Sequence, residues 1–142
     1  MTETATSPAE GKRPTIIIAD DDANSASFLV WAIRKIGFQA LWVTDGQVAF
    51  QKAQELKPAA ILMDMMMPGF DGMMGIRLLR MNEDTKHIPI VVVSGLTGRK
   101  EQEICKQEGA NEFLTKPFTI DKLRQVLAKY TPGVTASPPK PT

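Results

Sequence analysis

The sequence predicts an α/β domain, a five-stranded parallel sheet with five helices on both faces. Three observations carry this. Strand-length apolar blocks alternate with amphipathic blocks from Thr15 to Tyr130. Two of the blocks, Ile16-Ile17-Ile18 and Ile90-Val91-Val92-Val93, are apolar throughout, as strands covered on both faces are. Strict strand–helix alternation requires right-handed crossovers, which place helices on both sides of a parallel sheet.

The elements follow in order. Thr15 to Ala19 reads as the first strand, and Asp20-Asp21-Asp22 closes it. The first helix carries Phe28, Leu29, Ala32, Ile33 and Ile36 on one face and stops at Gly37, a residue suited to the left-handed conformation after a helix. Phe38 to Val43 is a mixed block, as an edge strand is, and Ala59 to Met63 is an apolar one ending at Asp64. Asp71-Gly72 reads as a turn or cap before the third helix. Ile88 to Val93 is the fourth strand, closed by Ser94. Arg99 to Glu108 is the weakest helix, with only Ile104 and Cys105 to bury. Asn111 to Thr115 is a second mixed edge strand and runs into Lys116-Pro117. The last helix repeats Leu123, Val126, Leu127 and Tyr130 at spacing 0, 3, 4 and 7, with Asp121 and Lys129 at the favourable ends of its dipole and a stop at Pro132-Gly133.

The chain has 142 residues, room for one domain with tails. Residues 1–13 lack periodicity and residues 131–142 hold four of the ten prolines, so both are expected to be disordered around a domain at 14–130. No apolar run approaches the ~18 residues of a transmembrane helix, and no signal pattern opens the chain, so the expected location is cytoplasmic, with no membrane partner. Fourteen basic and fourteen acidic groups between Thr15 and Tyr130 cancel, which argues against a nucleic-acid partner. One cysteine and one histidine, His87, cannot form a disulfide or a structural zinc site, and they leave thiol and Ser-His catalysis unsupported. Seven of the eight methionines lie between Met63 and Met81; without Cys or His beside them they read as core filling rather than a soft-metal site.

In such sheets a ligand binds at the carboxyl ends of the strands. Here Asp20 to Asp22, Asp64, Ser94 and Lys116 close four of the five strands, so carboxylates, a hydroxyl and an ammonium converge on one rim. Clustered carboxylates repel and call for a cation, and with only oxygen ligands the hard ion Mg2+ fits best. A hydroxyl and a lysine opposite the metal suit a phosphoryl group, for which an aspartate is a competent nucleophile. Taken alone, Asp20 to Asp22 also reads as an N-cap cluster, with Asp22 as the cap, and Asp64 as a turn residue.

The stretches IIIADDD, ILMDMMMPGFDG, IPIVVVSG and GANEFLTKPF together resemble the receiver domains of two-component response regulators, in order and in spacing, across roughly Thr15 to Tyr130. The closest type is the stand-alone, chemotaxis-regulator-like receiver. The resemblance implies a flavodoxin-like, doubly wound sheet of order 2-1-3-4-5. It also implies that Asp64 accepts the phosphoryl group, that Asp20, Asp21, Asp64 and the Met66 carbonyl hold Mg2+, and that Ser94 and Lys116 each take a phosphoryl oxygen. Lys116-Pro117 is expected to be a cis peptide, and Phe113 the aromatic that turns inward when Ser94 moves. Function is then a phosphorylation-activated signalling switch, not an enzyme beyond its own phosphorylation and slow dephosphorylation. Its expected partners are a sensor histidine kinase or histidine phosphotransfer protein and an unidentified downstream protein, the chain itself being a monomer or weak dimer. With only twelve residues after Tyr130, output is expected through binding.

Three other readings compete. A constitutive scaffold built on a degenerate receiver is opposed by the intact set Asp20, Asp21, Asp64, Ser94 and Lys116. A small metal-dependent phosphotransferase would need a substrate pocket. A flavodoxin-type carrier would need a Ser/Thr/Gly-rich phosphate loop where ADDDAN stands.

Two finer expectations remain. Ala23, Ala26, Ser27 and Val30 form a second stripe on the first helix, expected to face solvent and, as the resemblance implies, to receive a helical phosphodonor with Pro117-Phe118 at its edge. Met66 and Leu96, two residues after Asp64 and Ser94, occupy positions that, as the resemblance implies, flank the phosphoryl group and are polar in receivers that hydrolyse quickly; both are apolar here and cannot orient a hydrolytic water, so a long-lived phosphorylated state is expected.

Overall fold

The computed structural model describes residues 13–65, 72–95 and 98–132. Met66, Asp71 and Leu96, and the tails at 1–12 and 133–142, lie outside the described residues. The chain runs β1 (Thr15–Ala19), α1 (Ala23–Ile36), β2 (Gln39–Val43), α2 (Gly46–Leu56), β3 (Ala60–Asp64), α3 (Gly72–Met81), β4 (Ile90–Ser94), α4 (Arg99–Glu108), β5 (Glu112–Thr115) and α5 (Ile120–Tyr130). All five strands are parallel in the order β2-β1-β3-β4-β5.

Strands β1, β3 and β4 are buried almost end to end, whereas the mixed strands β2 and β5 form the edges. Alternation along each strand feeds two cores. Ile16, Ile18, Leu62, Val91 and Val93 pack with Leu29, Ile33, Ile36, Leu123, Val126 and Leu127 of α1 and α5. Ile17, Ile61, Met63, Ile90 and Val92 pack with Ala49, Ala53, Ile76, Leu79 and Cys105 of the other three helices.

Caps explain the helix starts. Asp22, Asp45 and Thr119 each accept a main-chain N–H from the third residue on, Ser25, Val48 and Lys122. Helix α1 ends at Gly37, whose φ of 125° suits glycine. The fourth strand begins at Ile90 rather than Ile88, because Pro89 has no N–H for the ladder, although its carbonyl accepts from Ile61 N at 2.9 Å. Asp64 and Ser94 are the last residues of their strands rather than the first beyond them, paired with Val93 and Thr115 respectively.

Helix faces bring three corrections. Ala26, expected in the solvent stripe, is wholly buried, and the core stripe of α1 is Ala26, Leu29, Ala32, Ile33 and Ile36. Phe28, expected in the core, is 39% exposed because it lies about 100° around the helix from Leu29. It packs instead against Trp31 and edge-on to Phe118, with ring centroids 6.0 and 5.9 Å apart. On α4 only Cys105 is buried; its neighbour Ile104 points outward.

Candidate functional site

The rim at the carboxyl ends of β1, β3 and β5 gathers the predicted groups. Asp20, 1% exposed, directly follows β1, and its N–H still donates to Val43 O at 3.1 Å. The tight start of α1 then turns Asp22 N back onto Asp20 Oδ1 at 2.9 Å. Asp21 is exposed beside it. Asp64 ends β3 with 6% exposure. Gly72, the first residue of α3, makes room there: a Cβ on it would lie 2.9 Å from Met65 Cα and 3.1 Å from the Asp64 carbonyl.

One carboxylate oxygen from each of Asp20, Asp21 and Asp64 lies within 4.8 Å of the other two. Lys116 faces this cluster. Its Nζ is 3.4 Å from Asp20 Oδ2 and 3.9 Å from Asp64 Oδ2, and its main-chain N–H donates to Ser94 O at 2.8 Å. Lys116-Pro117 is cis. Ser94 is fully buried at the end of β4. Formally, three carboxylates against one ammonium leave two negative charges, with Asp20 and Asp64 buried and Asp21 at the surface. Low dielectric makes that imbalance costly, and a hard divalent cation held by oxygens offsets it.

Phe113 is half-buried on β5 in the second core, beside a recess of about 120 Å3 lined by Met65, Met73, Glu101, Ile104 and Cys105. Burial, with Glu101 adding to it, pushes the Cys105 thiol above its usual range, away from the reactive thiolate. Of the proposed docking residues, Ala23, Ser27 and Pro117 are exposed, Val30 and Phe118 are half-buried, and Ala26 is excluded. Ser25, Phe28, Leu29, Lys116, Pro117 and Phe118 line a groove of about 280 Å3 next to the acidic cluster.

The profile of the response regulator receiver domain matches residues 16–128. The chain belongs to the response-regulator receiver family. This receiver is 32% identical over 111 residues to the DNA-binding response regulator MtrA of Mycobacterium tuberculosis H37Rv, covering 78% of this chain and 47% of that protein. It is 33% identical over 129 residues to the phosphate regulon transcriptional regulatory protein PhoB of Pseudomonas aeruginosa, covering 87% of this chain and 56% of the relative. The receiver thus spans about half the length of these relatives. Among solved structures it is similar to the receiver domain of the sensor histidine kinase PA1611 of P. aeruginosa PAO1, with a TM-score of 0.78 and 28% identity, covering 84% of this chain and 98% of that one. That neighbour holds a magnesium ion in its active-site cleft. Among the described residues, no helix is long and apolar enough to cross a membrane.

Sequence reasoning missed Trp42, whose indole N–H donates to the Asp20 carbonyl at 2.6 Å. The available signal was a lone indole one residue from the end of an edge strand. It also missed Phe28 as a partner of Phe118, because the buried stripe of α1 takes in Ala26 on one flank and leaves out Phe28 on the other.

Proposed function

We propose that this receiver is a phosphorylation switch in which Asp64 accepts a phosphoryl group from a phosphohistidine on a sensor histidine kinase or a histidine phosphotransfer protein. An Asp64 carboxylate oxygen attacks phosphorus in line with the phosphorus–nitrogen bond. As that bond breaks, an acyl phosphate forms on Asp64 and the imidazole nitrogen of the donor leaves with the electron pair and takes up a proton. Mg2+ held by Asp20, Asp21 and Asp64, when bound, neutralises phosphoryl oxygens and lets the anionic nucleophile approach. Lys116 sits within ion-pair range of both buried carboxylates and takes a second phosphoryl oxygen as charge builds up. Ser94 bonds a third, and its movement draws Phe113 inward, changing the face that a downstream partner reads.

The observation that carries this is the convergence, in a receiver, of three carboxylates within 4.8 Å and Lys116 Nζ at 3.4 and 3.9 Å from two of them. The donor docks across the crest of α1, over Ala23, Ser27 and Val30, with Pro117 and Phe118 completing the contact. That the acyl phosphate is long-lived rests on residue type alone, the apolar Met66 and Leu96. Intact-mass measurement after incubation with Mg2+ and a small-molecule phosphodonor tests the switch. One added phosphoryl group that requires Mg2+ supports it, and an unchanged mass favours the constitutive scaffold.

A further inference from the structure

Asp20 is held at four points. Its N–H donates to Val43 O, its Oδ1 accepts from Asp22 N, its Oδ2 faces Lys116 Nζ, and its carbonyl accepts the indole N–H of Trp42 at 2.6 Å. The first three come from the sheet ladder, the start of α1 and the site itself. The fourth is a side chain from edge strand β2, which sends no other side chain to the site among the described residues.

Its origin lies in how β2 ends. A parallel ladder carried one step further would bring a main-chain N–H to the Asp20 carbonyl. The chain instead leaves the sheet after Val43, and Asp45 becomes the N-cap of α2, accepting from Val48 N at 2.8 Å. The indole stands in for the lost ladder donor. Packing alone does not account for the ring, because Trp42 keeps 41% of its surface exposed, with one side lining a cleft of about 490 Å3 that it shares with Trp31, Arg34 and Lys35.

The carbonyl that Trp42 holds belongs to the peptide joining Asp20 to Asp21. That peptide is planar, so clamping its oxygen fixes the plane that holds the Cα atoms of both aspartates and restricts the directions in which their side chains leave the backbone. We propose that Trp42 is a positioning residue for the divalent cation: its indole N–H orients the Asp20-Asp21 peptide so that both carboxylates point at the same ion. The inference rests on the cation reading of the Asp20, Asp21 and Asp64 cluster. It assigns to the edge strand a part in cation affinity.

Trp42→Phe keeps an aromatic ring and removes the donor. Calorimetric titration of the full chain with Mg2+ is expected to show the dissociation constant of Trp42→Phe raised roughly tenfold, the usual cost of losing a group that orients metal ligands. The thermal midpoint without Mg2+ should stay close to wild type, which separates positioning from general destabilisation. An unchanged dissociation constant overturns the role of Trp42 while leaving the cation site standing. Absence of Mg2+ binding in the wild type overturns the cation reading and this inference with it. Should Trp42→Phe fail to fold, Trp31→Phe decides instead, since it removes an exposed ring and leaves Trp42 as the only indole. Its emission should then change with a midpoint equal to the calorimetric one, and emission indifferent to saturating Mg2+ overturns the proposal.

Discussion

Asp64 shows how position, more than residue type, creates chemistry. An aspartate closing a strand is ordinarily a turn residue, but here it is 6% exposed, with Lys116 Nζ at 3.9 Å and two other carboxylates close by. Asp64→Asn fills the same space with an amide that cannot form an acyl phosphate. Phosphoryl transfer to that variant should be absent by intact mass, while its thermal midpoint should equal or exceed that of the wild type, because Lys116 retains Asp20 and one repelling charge is gone. Labelling of the variant to wild-type extent would remove Asp64 from the role of acceptor.

At the scale of the element, α1 separates two tests that the sequence merged. Ala26 is wholly buried, so Ala26→Glu forces a carboxylate out of water and into space that an alanine fills, a loss of about 3 kcal/mol in chemical denaturation. Ser27 is exposed on the crest, and Ser27→Glu should leave stability near wild type while slowing transfer from a protein phosphodonor and sparing transfer from a small one. Equal slowing with both donors would count against docking on α1. Helices α3 and α4 are joined by a two-point ion pair, Arg77 Nε to Glu108 Oε1 at 2.7 Å and Arg77 Nη2 to Glu108 Oε2 at 3.2 Å. The hydrogen bond from Arg77, helped by its charge, holds Glu108 below the usual glutamate range. A carboxylate depressed in the folded state stabilises above its unfolded value, about 4.3, and that contribution fades as pH falls through the lower folded value. The gap in thermal midpoint between wild type and Glu108→Gln should therefore be present at pH 7 and close on acidification. A gap that does not narrow at all as the pH falls below the unfolded value would show that the pair is not its source.

For the whole molecule, the acidic rim is a local cost that the two cores carry. The Asp64 carboxylate meets those of Asp20 and Asp21 only when β1 and β3 lie side by side, so a cation that bridges all three binds the folded state in preference to the unfolded one. Linkage then requires Mg2+ to stabilise the domain by about 2.7 kcal/mol at a hundredfold excess over the dissociation constant. That corresponds to a rise of roughly 10 °C in thermal midpoint for a domain of this size. Asp21→Ala, which removes an exposed carboxylate of the cluster and touches neither core, should abolish most of the rise. The same rise in Asp21→Ala would place the cation elsewhere.

The sequence by itself determined the alternation of elements, which strands lie inside the sheet, and the set of polar residues that close them. These are local properties: apolar run length and period report whether a segment is covered on one face or two, and a polar residue after such a run falls at the rim whatever the rest of the chain does. Asp22 as a cap was legible for the same reason, since capping needs only the next three residues. The tertiary structure decided what depends on angles between elements. The rotation of α1 about its axis buries Ala26 and exposes Phe28, which lie on opposite flanks of the stripe through Leu29, Ala32, Ile33 and Ile36. The indole of Trp42 meets the carbonyl of Asp20 because β1 and β2 are neighbours in the sheet while 22 positions apart in the chain. Lys116 and Asp20, 96 positions apart, become an ion pair although β3 and β4 lie between their strands, because the lysine side chain reaches along the carboxyl rim of the sheet. Long-range approach of this kind is set by the order of the strands in the sheet, and no short-range pattern encodes it.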